Sequence, residues 1–351
     1  MTTPRISLAL GPWNDTTIHP VSDWSAGSLV LSLTEGPQVS FTLPGGSSAA
    51  QQVSGLATDV YVSKLGLPWQ RLRVLPVAQD WGESGEDVVT LTAVGYKRVV
   101  AARNIFASPP PTYSGVDQGA ILWDLIQDTQ ALPGGDLGIT AGTYLTGQLR
   151  DRTEYRTGDN YGTLFTDMGN VEDGCWWGID GDLVFEARLW DAFPVRDLPI
   201  VRGQNARRLN RAPAALFANV GGAIGSTEHT TAHWEEDPSV TTDPRGRWEV
   251  FDASHSSVIL QATVVDYALG LVADGLHPPA VWTVELDPAD YFEGASDYDP
   301  GDFVTINVPA SAVNDVAAPP VSVSAQVTEV SIDFDESGAT VVKLAALEVT
   351  A

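Results

Sequence analysis

Val321-Ser322-Val323-Ser324-Ala325-Gln326-Val327-Thr328-Glu329-Val330-Ser331-Ile332-Asp333-Phe334 runs into Asp335-Glu336-Ser337-Gly338 and then into a second strand-like run, Thr340 to Val349. Apolar side chains separated by polar ones put one face of a strand in a core and the other in water. A cluster of Asp, Ser and Gly between two such runs reads as a hairpin turn. The same character extends upstream, over Phe303 to Val308, Val281 to Leu286 and the stretch Arg207 to Ile224, with Asn219-Val220-Gly221-Gly222 at a strand end. One long helix interrupts it. Ser254 to Asp274 carries Ile259, Leu260, Val264, Tyr267 and Leu271 along one face, and Gly275 and Pro278-Pro279 stop it. His229 to Gly246 reads as a polar loop.

The first hundred residues are also strand-rich. Ile6 to Leu10, Leu29 to Leu33 and Val39 to Leu43 are punctuated by Gly36-Pro37 and Pro44-Gly45-Gly46. Ser47 or Ser48 caps a helix through Leu56. Val60 to Gly66 and Leu72 to Leu75 pair as a hairpin, Val88 to Val94 is a further strand, and Tyr96 to Ile105 is a short helix. The run Ser108-Pro109-Pro110-Pro111-Thr112 is stiff and cannot continue a helix, so it marks a linker. Beyond it the period changes. Gln118 to Thr129 places Ile121, Leu122, Leu125 and Ile126 on one stripe, and Asn160 to Val171 does so with Tyr161, Leu164, Phe165 and Met168. Cys175 to Phe185 forms a hairpin around Asp180-Gly181-Asp182. The expected organisation is mainly β: a tube-like β module over 1–105, a small α+β module over 112–200, and a second β module over 201–351 that contains the helix 254–274.

Composition bounds the function. The 351 residues carry 45 acidic against 19 basic side chains, a formal charge of −26. Binding to phosphate needs positive surface, so the charge balance argues against specific nucleic-acid recognition, whereas an acidic wall suits a pore through which DNA slides. The stretches Asp287 to Asp302 and Glu329 to Glu336 are the candidates for such a wall; a solubilising outer surface is the alternative. One cysteine, Cys175, excludes an internal disulfide and a thiolate cluster. No apolar run approaches the roughly 20 residues of a membrane helix. No signal peptide is read at the N-terminus.

Candidate chemistry is sparse. His229 and His233, with Glu228, Glu235, Glu236 and Asp237 beside them, have the i, i+4 spacing that would bring two imidazoles to one metal on a helix. Flanking threonines and Asp237-Pro238 favour an exposed loop. Asp297, Asp299 and Asp302 surround Pro300-Gly301, but a glycosidase needs two carboxylates across a cleft and calcium needs several oxygens from one loop. A turn whose amides are satisfied by Asp carboxylates is the better reading. Cys175, beside Trp176-Trp177 and with no histidine near it in sequence, reads as a buried thiol. The 11 tryptophans are spread from Trp13 to Trp282, which fits core and interface anchors better than one sugar-binding face. The sequence therefore assigns no catalytic, cofactor-binding or metal residue.

Three groups of motifs in order resemble the tail-hub minor tail proteins of long-tailed phages of actinobacteria. The first comprises Val39-Ser40-Phe41-Thr42-Leu43-Pro44-Gly45, Ala57 to Val62, Arg71-Leu72-Arg73-Val74, and Val94 to Val100 with Arg103. The second comprises Ala120 to Ile126, Tyr155, Tyr161-Gly162-Thr163-Leu164 and Gly174 to Asp180. The third comprises Asp299-Pro300-Gly301-Asp302-Phe303-Val304, Gln326 to Ile332, Gly338 and Val341 to Leu344. The resemblance spans nearly the whole chain and carries no catalytic motif. It implies a virion protein of the tail tip, built as a homotrimeric ring with pseudo-sixfold symmetry. That ring would join a six-subunit distal tail ring, close the tail tube, and contact the tape-measure C-terminus and other minor tail proteins or a central fibre. DNA would pass without specific binding, and there would be no membrane insertion. The alternative is a tail protein that binds host cell-surface carbohydrate.

Overall fold

The computed structural model describes residues 6–349 apart from 15–16, 66, 82–86, 154, 172, 215–216, 227–229, 254–259, 277–278, 294–297, 314–315, 319 and 336–337. The protein is mainly β, the class expected from sequence. One 14-stranded sheet runs through both ends of the chain. From its C-terminal side the order is Ala206–Pro213, Ala280–Leu286, Gly338–Glu348, Val321–Asp335, Gly27–Ser32, Gly36–Pro44, Asp87–Gly95, Leu67–Val74, Thr58–Lys64, Ile6–Pro12 and His19–Val21. Every neighbouring pair on that path is antiparallel.

The strand Val321–Asp335 holds this arrangement together. One edge pairs with Gly338–Glu348, in the hairpin read from sequence; Glu336 and Ser337 of its turn lie outside the described residues. The other edge serves two partners in succession: residues 321–326 pair with Phe303–Val308, and residues 329–334 pair with Gly27–Ser32. The handover coincides with a register shift between Val327 and Glu329. An extra residue there bends the strand and lets its two halves belong to two curved blocks. Because side chains alternate, Val330, Ile332 and Phe334 point into the same core as Leu29, Leu31, Val39 and Phe41. That one cluster also takes in Val284, Leu286, Ile306 and Leu344, so both strand blocks share buried surface. Each such side chain contributes about 1.5–3 kcal/mol.

Residues 96–187 build a second core. Helices Tyr96–Ala101, Gln118–Gln130 and Tyr161–Gly169 pack Val100, Ile121, Leu125, Phe165 and Met168 against the hairpin Cys175–Ile179 and Val184–Leu189. The longer two begin at capping residues. The Asp117 carboxylate accepts from the Gly119 and Ala120 amides, and the Asn160 side chain from the Thr163 amide.

Several sequence expectations are corrected. The helix from Tyr96 stops at Ala101, because the next residues bond to the chain at 159–161: the Ile105 amide donates to the Asp159 carbonyl, and that of Tyr161 to Arg103. The helix capped by Ser47 ends at Gln52, and Leu56 has a left-handed φ of 65°. Arg207 to Ile224 is two strands in two sheets, Ala206–Pro213 and Val220–Ala223. The loop expected over 229–246 contains the strand His233–Glu236, which pairs with Val220–Ala223; Glu249–Asp252 pairs on its other side. The long helix is described over Gln261–Leu276, and residues 254–259, Ile259 included, lie outside the described residues. This small sheet and helix are inserted between Pro213 and Ala280, which face each other in one ladder.

Candidate functional site

The three parts of the chain meet at the backbone of Leu33. Its amide donates to the Thr328 carbonyl (2.9 Å), at the bulge where Val321–Asp335 changes partner. Its carbonyl accepts from the Trp176 indole (2.7 Å) and the Lys97 amine (3.2 Å), both from the 96–187 part. Lys97 is buried, with its Nζ 5.0 and 5.4 Å from the rings of Trp177 and Trp176. Burial drives its pKa from 10.5 down to about 7, against an opposing pull from Glu35.

A second attachment lies at Asp59, which is fully buried. Its carboxylate accepts from Arg71 Nε (2.8 Å), Arg73 Nε (2.7 Å) and the Tyr96 hydroxyl (2.7 Å). Arg73 Nη2 donates to Tyr96, and Arg71 Nη2 to the Trp13 carbonyl. Burial, then the bond to Asp59, pushes the Tyr96 hydroxyl pKa up. Tyr96 opens the 96–187 part, so this network fixes its first helix to the strands Thr58–Lys64 and Leu67–Val74.

Between these attachments lies an open cleft of about 690 Å³. Tyr61, Trp69 and Arg71 line it from the N-terminal strands; Trp176, Asp180, Asp182, Glu186 and Arg188 from the hairpin; Phe193, Arg196, Asp299 and Asp302 from the chain beyond it. Trp176 and Phe193 pack edge to face at 5.2 Å, and the Arg188 guanidinium sits 5.4 and 5.2 Å from their rings while pairing with Glu186. Arg196 Nε donates to Asp302 (2.6 Å) and its Nη2 reaches Asp299 (3.5 Å). The cleft therefore presents aromatic faces and guanidinium groups already held by carboxylates. That chemistry suits packing against another surface more than proton transfer or nucleophilic attack.

The residues singled out by sequence fall as follows. Asp302 is buried; its carboxylate accepts the Asp299 amide (2.7 Å) as well as Arg196, which is the turn reading in atomic form. Gly301 in that turn has φ of 104°, and a Cβ there would lie 2.1 Å from the Phe193 ring. Asp297 and His229 lie outside the described residues. His233 is on a strand, not a helix, and its Nε2 contacts Glu235 at 2.7 Å. Among the described residues no group of three or more His, Cys, Asp or Glu side chains converges to hold a metal. Cys175 is buried, and burial, then Asp117, pushes its thiol up to about 12. Asp180 accepts the amides of Asp182 and Val184 and so closes the hairpin turn. Within the acidic stretches, Asp287 pairs with Arg207, Asp299 and Asp302 with Arg196, and Asp333 with Lys343. Among the described residues no helix is long and apolar enough to cross a membrane. Sequence reasoning missed Leu33, Lys97 and Asp59. The available signals were a charged residue next to one apolar or aromatic neighbour, Asp59 before Val60 and Lys97 after Tyr96.

No protein-family model and no curated protein matches the sequence. Solved structures do resemble the fold. The tail protein from Neisseria meningitidis MC58 superposes with a TM-score of 0.63 at 11% identity, over 98% of this chain and 96% of that one. The prophage MuSo2 43 kDa tail protein from Shewanella oneidensis gives 0.64 at 8%, over 97% of each. Prophage tail protein gp18 from Listeria monocytogenes EGD-e gives 0.57 at 11%, over 97% and 94%. At these identities the likeness is one of fold, and it extends over nearly the full length of both chains.

Proposed function

We propose that this chain is a structural protein of a phage tail, placed at the tail tip as a trimeric hub ring. The full-length likeness to tail proteins supports the tail assignment. The observation that carries the hub reading is the shared edge of Val321–Asp335, which joins two strand blocks within one subunit. Three copies then present six blocks, matching the six subunits of a distal tail ring by geometry alone. The ring closes the tail tube and opens a path for DNA on infection. It meets the tape-measure C-terminus on one side and other minor tail proteins or a central fibre on the other. The formal charge of −26 fits a protein that DNA passes without adhering to its phosphates. The reading assigns the protein no catalytic step; its cleft offers a place for a neighbouring subunit to pack. Quantitative mass spectrometry of purified virions tests it: three copies per particle are expected, and six or one would overturn the hub reading.

A further inference from the structure

The insert between Pro213 and Ala280 has one covered and one open sheet face. Helix Gln261–Leu276 covers the first, through Ala223, Val264 and Ala268. On the other, Trp234, Gly222 and Phe251 form one row across the three strands, Gly222 standing opposite both aromatic residues. The two rings meet over the glycine with centroids 5.1 Å apart. A Cβ on Gly222 would lie 2.6 Å from Phe251 Cδ2 and 2.7 Å from Trp234 Cε3, so the pair depends on glycine there. Even in contact, Trp234 remains 44% and Phe251 46% exposed. The next row across the sheet is Glu236, Val220 and Glu249, and Arg247 pairs with both glutamates beside the rings.

Singly exposed apolar side chains need no explanation, but two large rings seated together on a glycine and bordered by fixed polar groups form a built surface. Its size points to the ligand. Half-exposed, the rings offer roughly 200 Å², about a quarter of the ~800 Å² each partner contributes to a stable protein interface. One or two sugar rings match that area. Its charge narrows the class. Glu236 and Glu249 flank the rings and share Arg247, in a chain of charge −26, and such a field repels an anionic ligand. We propose that the Trp234–Phe251 face binds a neutral, pyranose-containing polysaccharide. The apolar C–H face of a sugar packs on the rings, and its hydroxyls bond to Glu236, Arg247 and Glu249. This is a binding function in addition to the structural one, carried on an insert at the tip of a hairpin, where added function is tolerated by a scaffold.

Affinity electrophoresis of the full chain in native gels tests this, with arabinogalactan, dextran or galactomannan as neutral probes and polygalacturonate as the anionic one. At least one neutral polysaccharide should retard the protein, and polygalacturonate should not. Trp234→Ala and Phe251→Ala should each weaken the retardation at least 10-fold. Trp248→Ala should leave it unchanged: that residue is 51% exposed but precedes the strand Glu249–Asp252 and, an odd number of positions from Phe251, is out of phase with it. Trp234→Phe, which keeps a ring and the packing, should retain binding, and so separates loss of the ligand contact from loss of the fold. Three results would overturn the proposal: no retardation by any neutral probe, equal retardation of Trp234→Ala and parent, or a self-associated species without polysaccharide that disperses when Trp234 is replaced. The last would assign the face to protein docking.

Discussion

Replacing Lys97 by Met removes a buried amine without changing the shape of its site much. The folded protein holds this amine at a pKa of about 7, against 10.5 in an unfolded chain. Between those values the unfolded state binds a proton that the folded state does not, so stability rises with pH from about 7 towards 10.5. Below pH 7 the folded state must hold a charged amine away from water. The full difference between the two pKa values corresponds to about 5 kcal/mol. The Leu33 carbonyl and the faces of Trp176 and Trp177 favour the charged form and offset part of that difference. Lys97→Met has no proton to take up. It should be about 3–5 kcal/mol more stable than the parent at pH 6, less about 1 kcal/mol for the lost Leu33 hydrogen bond. By pH 10 the advantage should have vanished. Urea unfolding followed by circular dichroism at pH 6, 8 and 10, on parent and variant, measures this directly. Other titrating groups are common to both proteins, so the difference isolates Lys97. A gap that stays constant across the three pH values would refute the reasoning, and so would a variant less stable than the parent at pH 6.

Other consequences can be measured with the same methods. Asp59→Ala leaves Arg73 and the Tyr96 hydroxyl buried without their shared acceptor and should cost about 3–5 kcal/mol, read from urea midpoints. Gly301→Ala forces a left-handed φ on a residue with a Cβ and drives that atom into the Phe193 ring; thermal melts should show a loss of about 1–3 kcal/mol or more. Cys175, buried and pushed up to about 12, should resist a thiol reagent at pH 8 in the folded protein and react fully in denaturant.

What could be read from sequence was local. The hairpins around Asp335 and Asp180 were legible because alternation and turn chemistry lie within some 30 residues of each other. The cap at Ser47 was legible for the same reason. What escaped was non-local. Nothing near Val321–Asp335 says that its far half pairs with Gly27–Ser32, because strand register between distant segments is set by packing and not by either sequence alone. The bond from Trp176 to Leu33 spans 143 residues and left no pattern. The insert was read as part of a β module because Arg207 to Ile224 looked continuous; Pro213 in fact closes one strand before the chain leaves for another sheet. The i, i+4 spacing of His229 and His233 suggested a metal only on a helix, and His233 sits on a strand. The Asp299–Asp302 turn, by contrast, could be read in advance, since a carboxylate bonding an amide three residues away is a local event.

The central claim is that two strand blocks joined in one subunit let three copies occupy a six-fold site. A three-dimensional reconstruction of the intact tail tip, computed without imposed symmetry, tests it most directly. The account predicts a ring of three copies of this chain, each contributing two β blocks, seated on a six-fold ring. Six equivalent copies, a single copy, or its absence from the tail axis would contradict it.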